Sequence, residues 1–458
     1  MLPSLSITAY KSLIEKYNVA GPRYTSYPTV PLWETETFSV TAWQESIQKQ
    51  FSLSQEISLY IHLPYCESLC TYCGCNTRIT VNHAVERPYI EAVLNEWKMY
   101  LKLFNMKPTL KELHLGGGTP TFFSPENLAY LLEGIYEACI IPAQHSYGFE
   151  GHPANTTKAH IDTLYALGFD RVSFGIQDFD PYIQDVINRK QTVEQVKAVT
   201  DWAKAAGYTS INYDLIYGLP FQSIESISKT INTVCELKPD RIAFYSYAHV
   251  PWLKPSQRKY SDNDLPNNDY KRSLYEAGKN LFLSAGFKEI GMDHFALEGD
   301  ELFTAFDTKT LHRNFMGYTV SETNLMIGLG VSSISDSSFA FAQNHKTVEA
   351  YQEAVNKGIL PVFRGHLTSE EDFMFRKRIL ALMCNLETTY TESEANNLEF
   401  QHALSRLEEL IADQLVTIQN QKISVTELGK AFVRNICMAF DVRMHKAESK
   451  TNRFSSVI

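Results

Sequence analysis

Between residues 57 and 250 the apolar positions switch repeatedly between two periods. Short runs rich in β-branched and aromatic residues read as strands: Ile57–Leu63, Glu112–Leu115, Tyr147–Glu150, Arg171–Ile176, Ile211–Ile216 and Arg241–Tyr245. Between them apolar residues recur at helical spacing, over Pro88–Leu103, Pro125–Cys139, Thr157–Leu167, Val193–Ala206 and Glu225–Leu237. Strands separated by helices of this length imply parallel neighbours joined by crossovers. Six such units fit a partial barrel or an open doubly wound sheet, and periodicity does not separate the two.

The flanks have a different texture. Residues 1–56 read as helix, polar loop (Gly21–Thr29) and helix. Residues 251–340 are less regular, with a polar loop around Pro255–Asn268, a helix near Asp269–Ala285 and a glycine-bearing stretch, Gly328–Val331. From about residue 366, Thr368 and Glu371 predict a capping box ahead of a helix over Glu370–Met383. A second helix is expected over Glu392–Asp413, and Leu415–Thr417 and Lys422–Val425 flank Asn420-Gln421 as a hairpin. A last helix runs from Glu427 to about Asp441, and the tail after Lys446 is expected to fray. Helix, helix, hairpin, helix resembles a winged-helix module. The expected units are 1–56, 57–345 and 366–445.

Charge narrows the function classes. Of 458 residues, 42 are Lys or Arg and 52 are Asp or Glu, a net charge of −10 that argues against a general polyanion binder. The C-terminal module carries Glu392, Glu394, Glu399, Glu408, Glu409 and Asp413 with few balancing cations, whereas a phosphate-reading face should be basic. A lid over substrate is therefore the expected role, with no nucleic acid as partner. No apolar run approaches the roughly 18 residues of a membrane span. The opening residues lack the pattern of a secretory leader, so a cytoplasmic location is expected.

Eight cysteines occur, and four of them fall within the ten residues 66–75. Cys139, Cys235, Cys384 and Cys437 lie in apolar, helix-like surroundings and read as small buried hydrophobes. Cys66, Cys70 and Cys73 leave the first strand with the spacing C-x3-C-x2-C. Structural zinc wants four ligands, usually in two pairs, and no second pair is present. Three thiolates in one loop suit three irons of a 4Fe–4S cube with the fourth iron open; zinc and unligated core cysteines are the alternatives. His62 is expected to orient this loop, and Cys75 to have a structural or substrate-side role.

The spacing resembles the radical S-adenosylmethionine superfamily. Tyr60-x-His62-x-Pro64, Cys75-Asn76, Gly116-Gly117-Gly118-Thr119-Pro120-Thr121, Phe174–Phe179, Asn188-Arg189, Asp214–Pro220, Tyr247-Ala248-His249 and the segment Gly21–Thr29 resemble, in order, the oxygen-independent coproporphyrinogen III oxidases. The family's E-x-D-P is here Glu150-Gly151-His152-Pro153, and Tyr72 stands where Phe or Tyr is usual.

The resemblance implies a partial (β/α)6 barrel of parallel strands and a 4Fe–4S cluster on Cys66, Cys70 and Cys73. It implies two S-adenosylmethionine molecules, contacted by Tyr60, Tyr72, Gly117, Gly118, Thr119, Glu150, Gln177, Arg189, Asp214, Ala248 and Ile334. It further implies oxidative decarboxylation of two propionates of coproporphyrinogen III to vinyls by a 5′-deoxyadenosyl radical, in a monomer served by an electron donor and an acceptor. A haem-binding chaperone of the same branch and a DNA-binding regulator are the other readings; such chaperones generally lack Cys75-Asn76 and the Gly21–Thr29 segment. From the residues themselves, Gly117, Glu150, Gln177, Asp214 and Ala248 fall at or just past strand ends, which converge on one face of a parallel array. An Asp in the apolar run Asn212–Ile216 requires a polar partner. For substrate carboxylates Arg23, Arg258, Lys259 and Arg313 are the candidate cations. Arg23, Tyr24 and Tyr27 are expected to form a flap over the tetrapyrrole, with Cys75 nearby.

Overall fold

The computed structural model describes residues 7–447; the tail expected to fray lies outside them, apart from Ala447. All six expected strands form: β1 (Glu56–Leu63), β2 (Thr109–Gly117), β3 (Ser146–Gly151), β4 (Arg171–Gln177), β5 (Ser210–Tyr217) and β6 (Arg241–Ser246). They lie side by side in chain order, each parallel to the next. Doubly wound sheets reverse strand order at a switch point, and this run has no reversal, so the barrel alternative holds. The connecting helices have local reasons for their limits. Helix Val193–Ala206 starts at a reciprocal Thr192/Gln195 capping box and stops at Gly207, whose φ of 108° lies in the left-handed region.

The sheet does not end with these six strands. Met326–Leu329 adds a parallel strand beside β1, followed by antiparallel Ile334–Asp336, Ala340–Asn344 and Val362–Leu367. At the other edge His294–Ala296 and Lys288–Ile290 pair antiparallel to β6, giving twelve strands in all. Along β5, Tyr213, Leu215 and Tyr217 enter the main core, whereas Asn212 and Asp214 are only partly buried and line the lumen cavity. That alternation puts polar groups inside the barrel and apolar ones against the helices.

The C-terminal module corrects several expectations. The capping box is Ser369 with Asp372, one residue beyond the expected pair, and the helix runs Glu370–Asn385. The expected helix over Glu392–Asp413 is two, Glu392–Ala395 and Leu398–Ala412, because Asn397 turns extended and caps the second. The hairpin pairs Val416–Gln419 with Lys422–Val425, and Asn420 and Gln421 both take positive φ, as a two-residue type I′ turn requires. The last expected helix is a 3-10 turn, Leu428–Phe432, then Val433–Met438, then Val442–Lys446 capped by Asp441. The module's acids also find cations: Lys16 reaches Glu409 and Asp413, Arg378 pairs with Glu394, and Lys446 meets Glu399.

Residues 21–29 are not an open flap. Tyr24 and Tyr27 are each 1% exposed and belong to one core with Ile14, Phe375, Leu407 and Phe440. The Tyr24 hydroxyl donates to Asp441 at 3.1 Å. Two aromatic rings in a polar segment bury when a partner surface arrives from elsewhere in the chain, and that surface is the C-terminal module. The part in a substrate flap expected of these rings is thereby replaced by a packing role. Tyr24→Ala should cost about 3–5 kcal/mol of stability by cavity formation, read as a fall in the urea midpoint, while Tyr24→Phe should cost about 1 kcal/mol for the lost hydrogen bond. Among the described residues no helix is long and apolar enough to cross a membrane.

Candidate active site

The three clustered thiols stand in the loop that follows β1, all partly exposed. The loop is fastened from four sides. Gly118 N–H donates to the Leu63 carbonyl at 2.9 Å and Thr119 N–H to that of Tyr65 at 3.0 Å. Asn188 donates to the Leu69 carbonyl at 2.8 Å, and Thr71 N–H to that of Ile187 at 2.9 Å. His62 Nε2 meets the Asn76 carbonyl at 2.8 Å while its Nδ1 meets the Tyr60 hydroxyl at 3.1 Å, so His62 ties strand to loop. Burial lowers the His62 pKa, which suits a neutral ring. Lys254 donates to the Cys75 carbonyl at 3.0 Å.

The glycine run has a defined use. A Cβ on Gly118 would lie 2.5 Å from the Pro64 carbonyl oxygen, and Gly117 holds φ +120° with the His62 imidazole 3.0 Å from where its Cβ would be. Only glycines let the end of β2 pass this close beneath the cysteine loop. The amides of Gly118 and Thr119 are thus occupied by the chain itself, while the Thr119 hydroxyl lies 3.2 Å from Cys66 Sγ.

Each thiol has a polar neighbour: Cys66 the Thr119 hydroxyl, Cys70 the Arg189 guanidinium at 3.6 Å, and Cys73 the Cys75 amide at 3.4 Å. Arg189 also donates through Nε to the Gly175 carbonyl at 3.1 Å, filling space that a side chain on residue 175 would take. A cation bridging β4 to the cysteine loop is not the solvated surface charge that a lone Arg usually is. Three thiols with hydrogen-bond donors and one guanidinium fit a thiolate-held iron–sulfur cluster, whose sulfurs are tuned by such donors.

Gln177 ends β4 at φ 66°, is 8% exposed, and its amide oxygen is buried with no hydrogen-bond partner among the described residues. A strained, buried, unsatisfied group at a strand end is built for a donor that arrives from outside the chain. Glu150, near the end of β3, meets His114 Nε2 at 3.3 Å. Its Oε1 and the Tyr60 ring each lie 2.9 Å from where a Gly116 Cβ would sit. The departure after Glu150 is accommodated: His152 Nδ1 accepts the Ala154 amide at 3.1 Å, closing the turn as an Asp side chain would.

Asp214 is not at a strand end but inside β5, level with Gly175 and Ala243. Its polar partners are Ser173 at 2.9 Å and Asn212 at 2.8 Å. Burial pushes its pKa up to about 6, with the Glu150 charge adding to the effect. Asp214, Glu150, Ser173, His114 and Tyr245 line a lumen cavity of about 150 Å³.

Gln257 was not singled out by its sequence context. It is 1% exposed, and its amide bridges the carbonyls of Tyr72 at 3.1 Å and Ala248 at 3.2 Å, joining two predicted cofactor contacts. Ile334 stands on the far side of β1, across the strand Met326–Leu329. Arg258 and Lys259 are exposed on a 3-10 turn, with Arg258 donating to the Pro251 carbonyl, whereas Arg23 and Arg313 point into the protein.

A parallel six-unit barrel with a tri-cysteine loop after its first strand defines a radical S-adenosylmethionine protein, and residues 60–234 match the Radical SAM superfamily model. A cluster and S-adenosylmethionine follow from that class. More specifically, the chain belongs to the oxygen-independent coproporphyrinogen III oxidase family. It is 36% identical to the Synechocystis protein of that name over 100% of this chain and 99% of that one. It is 35% identical to the Pseudomonas aeruginosa protein over 97% and 98% respectively. The solved structure of the Escherichia coli coproporphyrinogen III oxidase, described as a radical SAM enzyme, superposes with a TM-score of 0.88 at 35% identity, covering 94% of this chain and 98% of that one.

Proposed function

We propose that this protein converts coproporphyrinogen III to protoporphyrinogen IX without dioxygen, by oxidative decarboxylation of two propionates to vinyls. The observation that carries the reading is the Arg189-braced loop of Cys66, Cys70 and Cys73 in a chain similar end to end to enzymes of that name. When bound there, a 4Fe–4S cluster and S-adenosylmethionine supply the one-electron chemistry of hydrogen abstraction. Two S-adenosylmethionine molecules are expected per site. The protein's own part is positioning. Tyr60, Gly117, Glu150 and Ile334 would hold the first molecule, with the Glu150 carboxylate accepting from ribose hydroxyls. Tyr72, Gly118, Thr119, Gln177, Arg189, Asp214 and Ala248 would hold the second, with the unsatisfied Gln177 oxygen accepting from it. Residues 21–29, packed on the C-terminal module, would close the barrel mouth and keep water from the reacting carbon.

The test is anaerobic reconstitution with iron, sulfide, S-adenosylmethionine and a low-potential reductant, followed by product analysis. Protoporphyrinogen IX formed with stoichiometric 5′-deoxyadenosine is the expected result. Haem binding without decarboxylation, by protein carrying a full cluster, would overturn it.

A further inference from the structure

The sheet face that lines the barrel continues past β1 and carries side chains that no motif marks. Ser58 and Tyr60 belong to that face, since the Ser58 hydroxyl donates to Glu112, which lines the lumen cavity. Ser58 pairs with Met326, and Met326 with Asp336, so Asp336 and Ile334 share the face. Ile334 pairs in turn with Gln343, and Gln343 with Arg364. Arg364 thus stands two strand spacings, about 10 Å, from the predicted cofactor contact Ile334. This end of the sheet is also the end that meets the cysteine loop. Lys346, two residues past the strand Ala340–Asn344, accepts from Asn76 Nδ2 through its carbonyl at 3.0 Å.

Two neighbours aim the Arg364 guanidinium. Its Nε donates to Gln343 Oε1 at 2.9 Å, and its Cζ lies 5.6 Å from the centre of the Trp33 ring. Trp33 is itself fixed, donating from Nε1 to the Pro28 carbonyl at 3.1 Å and stacking on Phe341 at 5.5 Å. These contacts leave both terminal nitrogens of Arg364 without a hydrogen bond among the described residues. Lys346 lies in the field of Arg364 and of Lys254, the residue that braces the Cys75 carbonyl. None of the three makes an ion pair among the described residues. The acids beside them are taken by other cations: Glu349 by Arg78, Asp336 by Arg376 and Glu34 by Arg443. Burial pulls the Arg364 pKa down with no carboxylate to offset it, and burial, Arg364 and Lys254 all pull down that of Lys346. A partly buried guanidinium with free donors and cationic neighbours differs from a solvated surface charge, and an anion would satisfy it.

We propose that Arg364 and Lys346, with Lys254 from the loop after β6, form the subsite that receives propionate carboxylates of the tetrapyrrole. This rests on the decarboxylase reading above and assigns substrate contacts that it leaves open. The long-range field of a protein of net charge −10 does not draw in a tetra-anion, so local cations carry that task. The free terminal nitrogens let Arg364 meet a carboxylate through two parallel hydrogen bonds. Trp252 and Leu253, both exposed just ahead of Lys254, offer apolar surface to the pyrrole rings. An anchor two strands away from the cofactor contact holds one propionate while another is presented at the lumen.

The experiment uses the reconstituted holoenzyme and its Arg364→Gln, Lys346→Gln and Lys346→Arg variants, matched for iron content. Each is assayed for KM and kcat with coproporphyrinogen III and dithionite as reductant. Each is also titrated by fluorescence with coproporphyrin III and with its tetramethyl ester. Both Gln variants should raise KM and the coproporphyrin III Kd by about ten- to a hundredfold, the size of a lost charge-assisted contact. Lys346→Arg should stay near the parent, and the uncharged ester should bind parent and variants alike. Parent-like KM and Kd in both Gln variants overturn the carboxylate subsite and leave the decarboxylase reading standing. Equal losses for acid and ester overturn it too, since they mark a packing defect. A defect confined to cluster reduction by an acidic flavoprotein, with coproporphyrin III binding intact, overturns it in favour of a redox partner. A parent that binds coproporphyrin III through Arg364 but never decarboxylates coproporphyrinogen III sinks the decarboxylase reading instead.

Discussion

Replacing Cys66, Cys70 or Cys73 by Ala, one at a time, is expected to remove the iron–sulfur chromophore and all product formation. On the proposed assignment each thiol would hold a different iron, while Cys75, whose backbone carbonyl accepts from Lys254, lies on the exposed side. Cys139→Ala is the contrast: that thiol is 8% exposed in the main core, and its loss should cost on the order of 1 kcal/mol while iron content stays full. Iron and sulfide analysis with the visible spectrum reads the outcome. A Cys66→Ala protein with full iron and parent turnover would refute the ligand assignment.

Asp214→Ala should lower kcat/KM by about a hundredfold or more, roughly 2.7 kcal/mol of transition-state stabilisation, while leaving the cluster spectrum intact. The carboxylate lies in the lumen, where Ser173 on the neighbouring strand and Asn212 on its own donate to it. Since burial and Glu150 raise its pKa to about 6, the ionised form is the disfavoured one in the folded protein. Between the ordinary 3.8 and about 6 the folded chain holds a proton that the unfolded chain has lost, so Asp214 contributes stability that falls as pH rises through this window. Activity should run the other way. If ionised Asp214 binds ligand hydroxyls, turnover falls as pH drops through about 6, and that limb disappears in Asp214→Asn. Parent turnover and parent S-adenosylmethionine affinity in Asp214→Ala would reduce the residue to a structural one, and the second cofactor site would go with it.

The six barrel strands were legible because each is long enough to show its period and is bounded by a helix of the right length. The edge strands Lys288–Ile290 and His294–Ala296 were not, since three residues carry no periodicity. The break at Asn397 hides inside good helix formers, and only the local bond that the Phe400 amide donates to its side chain reveals it. Arg189 was found through the family resemblance, and Gln177 through that resemblance and its place at a strand end. Gln257 sits in an ordinary polar context, and its meaning comes from the Tyr72 carbonyl far away in the chain. Tyr24 and Tyr27 misled for the same reason: a polar segment says nothing about a surface supplied by residues near its other end.

Tyr24 and Asp441 are 417 positions apart, and Gly21 and Arg434 are 413 apart. At translation rates of about 5–20 residues per second, the first tyrosine waits roughly 20–80 s on the ribosome for its partner. The cysteine loop and all six barrel strands emerge well before that. A nascent or truncated chain therefore has the proposed cluster ligands before residues 21–29 have met the C-terminal surface they pack on. Radical-generating capacity precedes the means of directing it, and only release of the finished chain joins the two. Quality control that delays iron loading until translation ends would protect the cell from unproductive consumption of S-adenosylmethionine by the half-made enzyme.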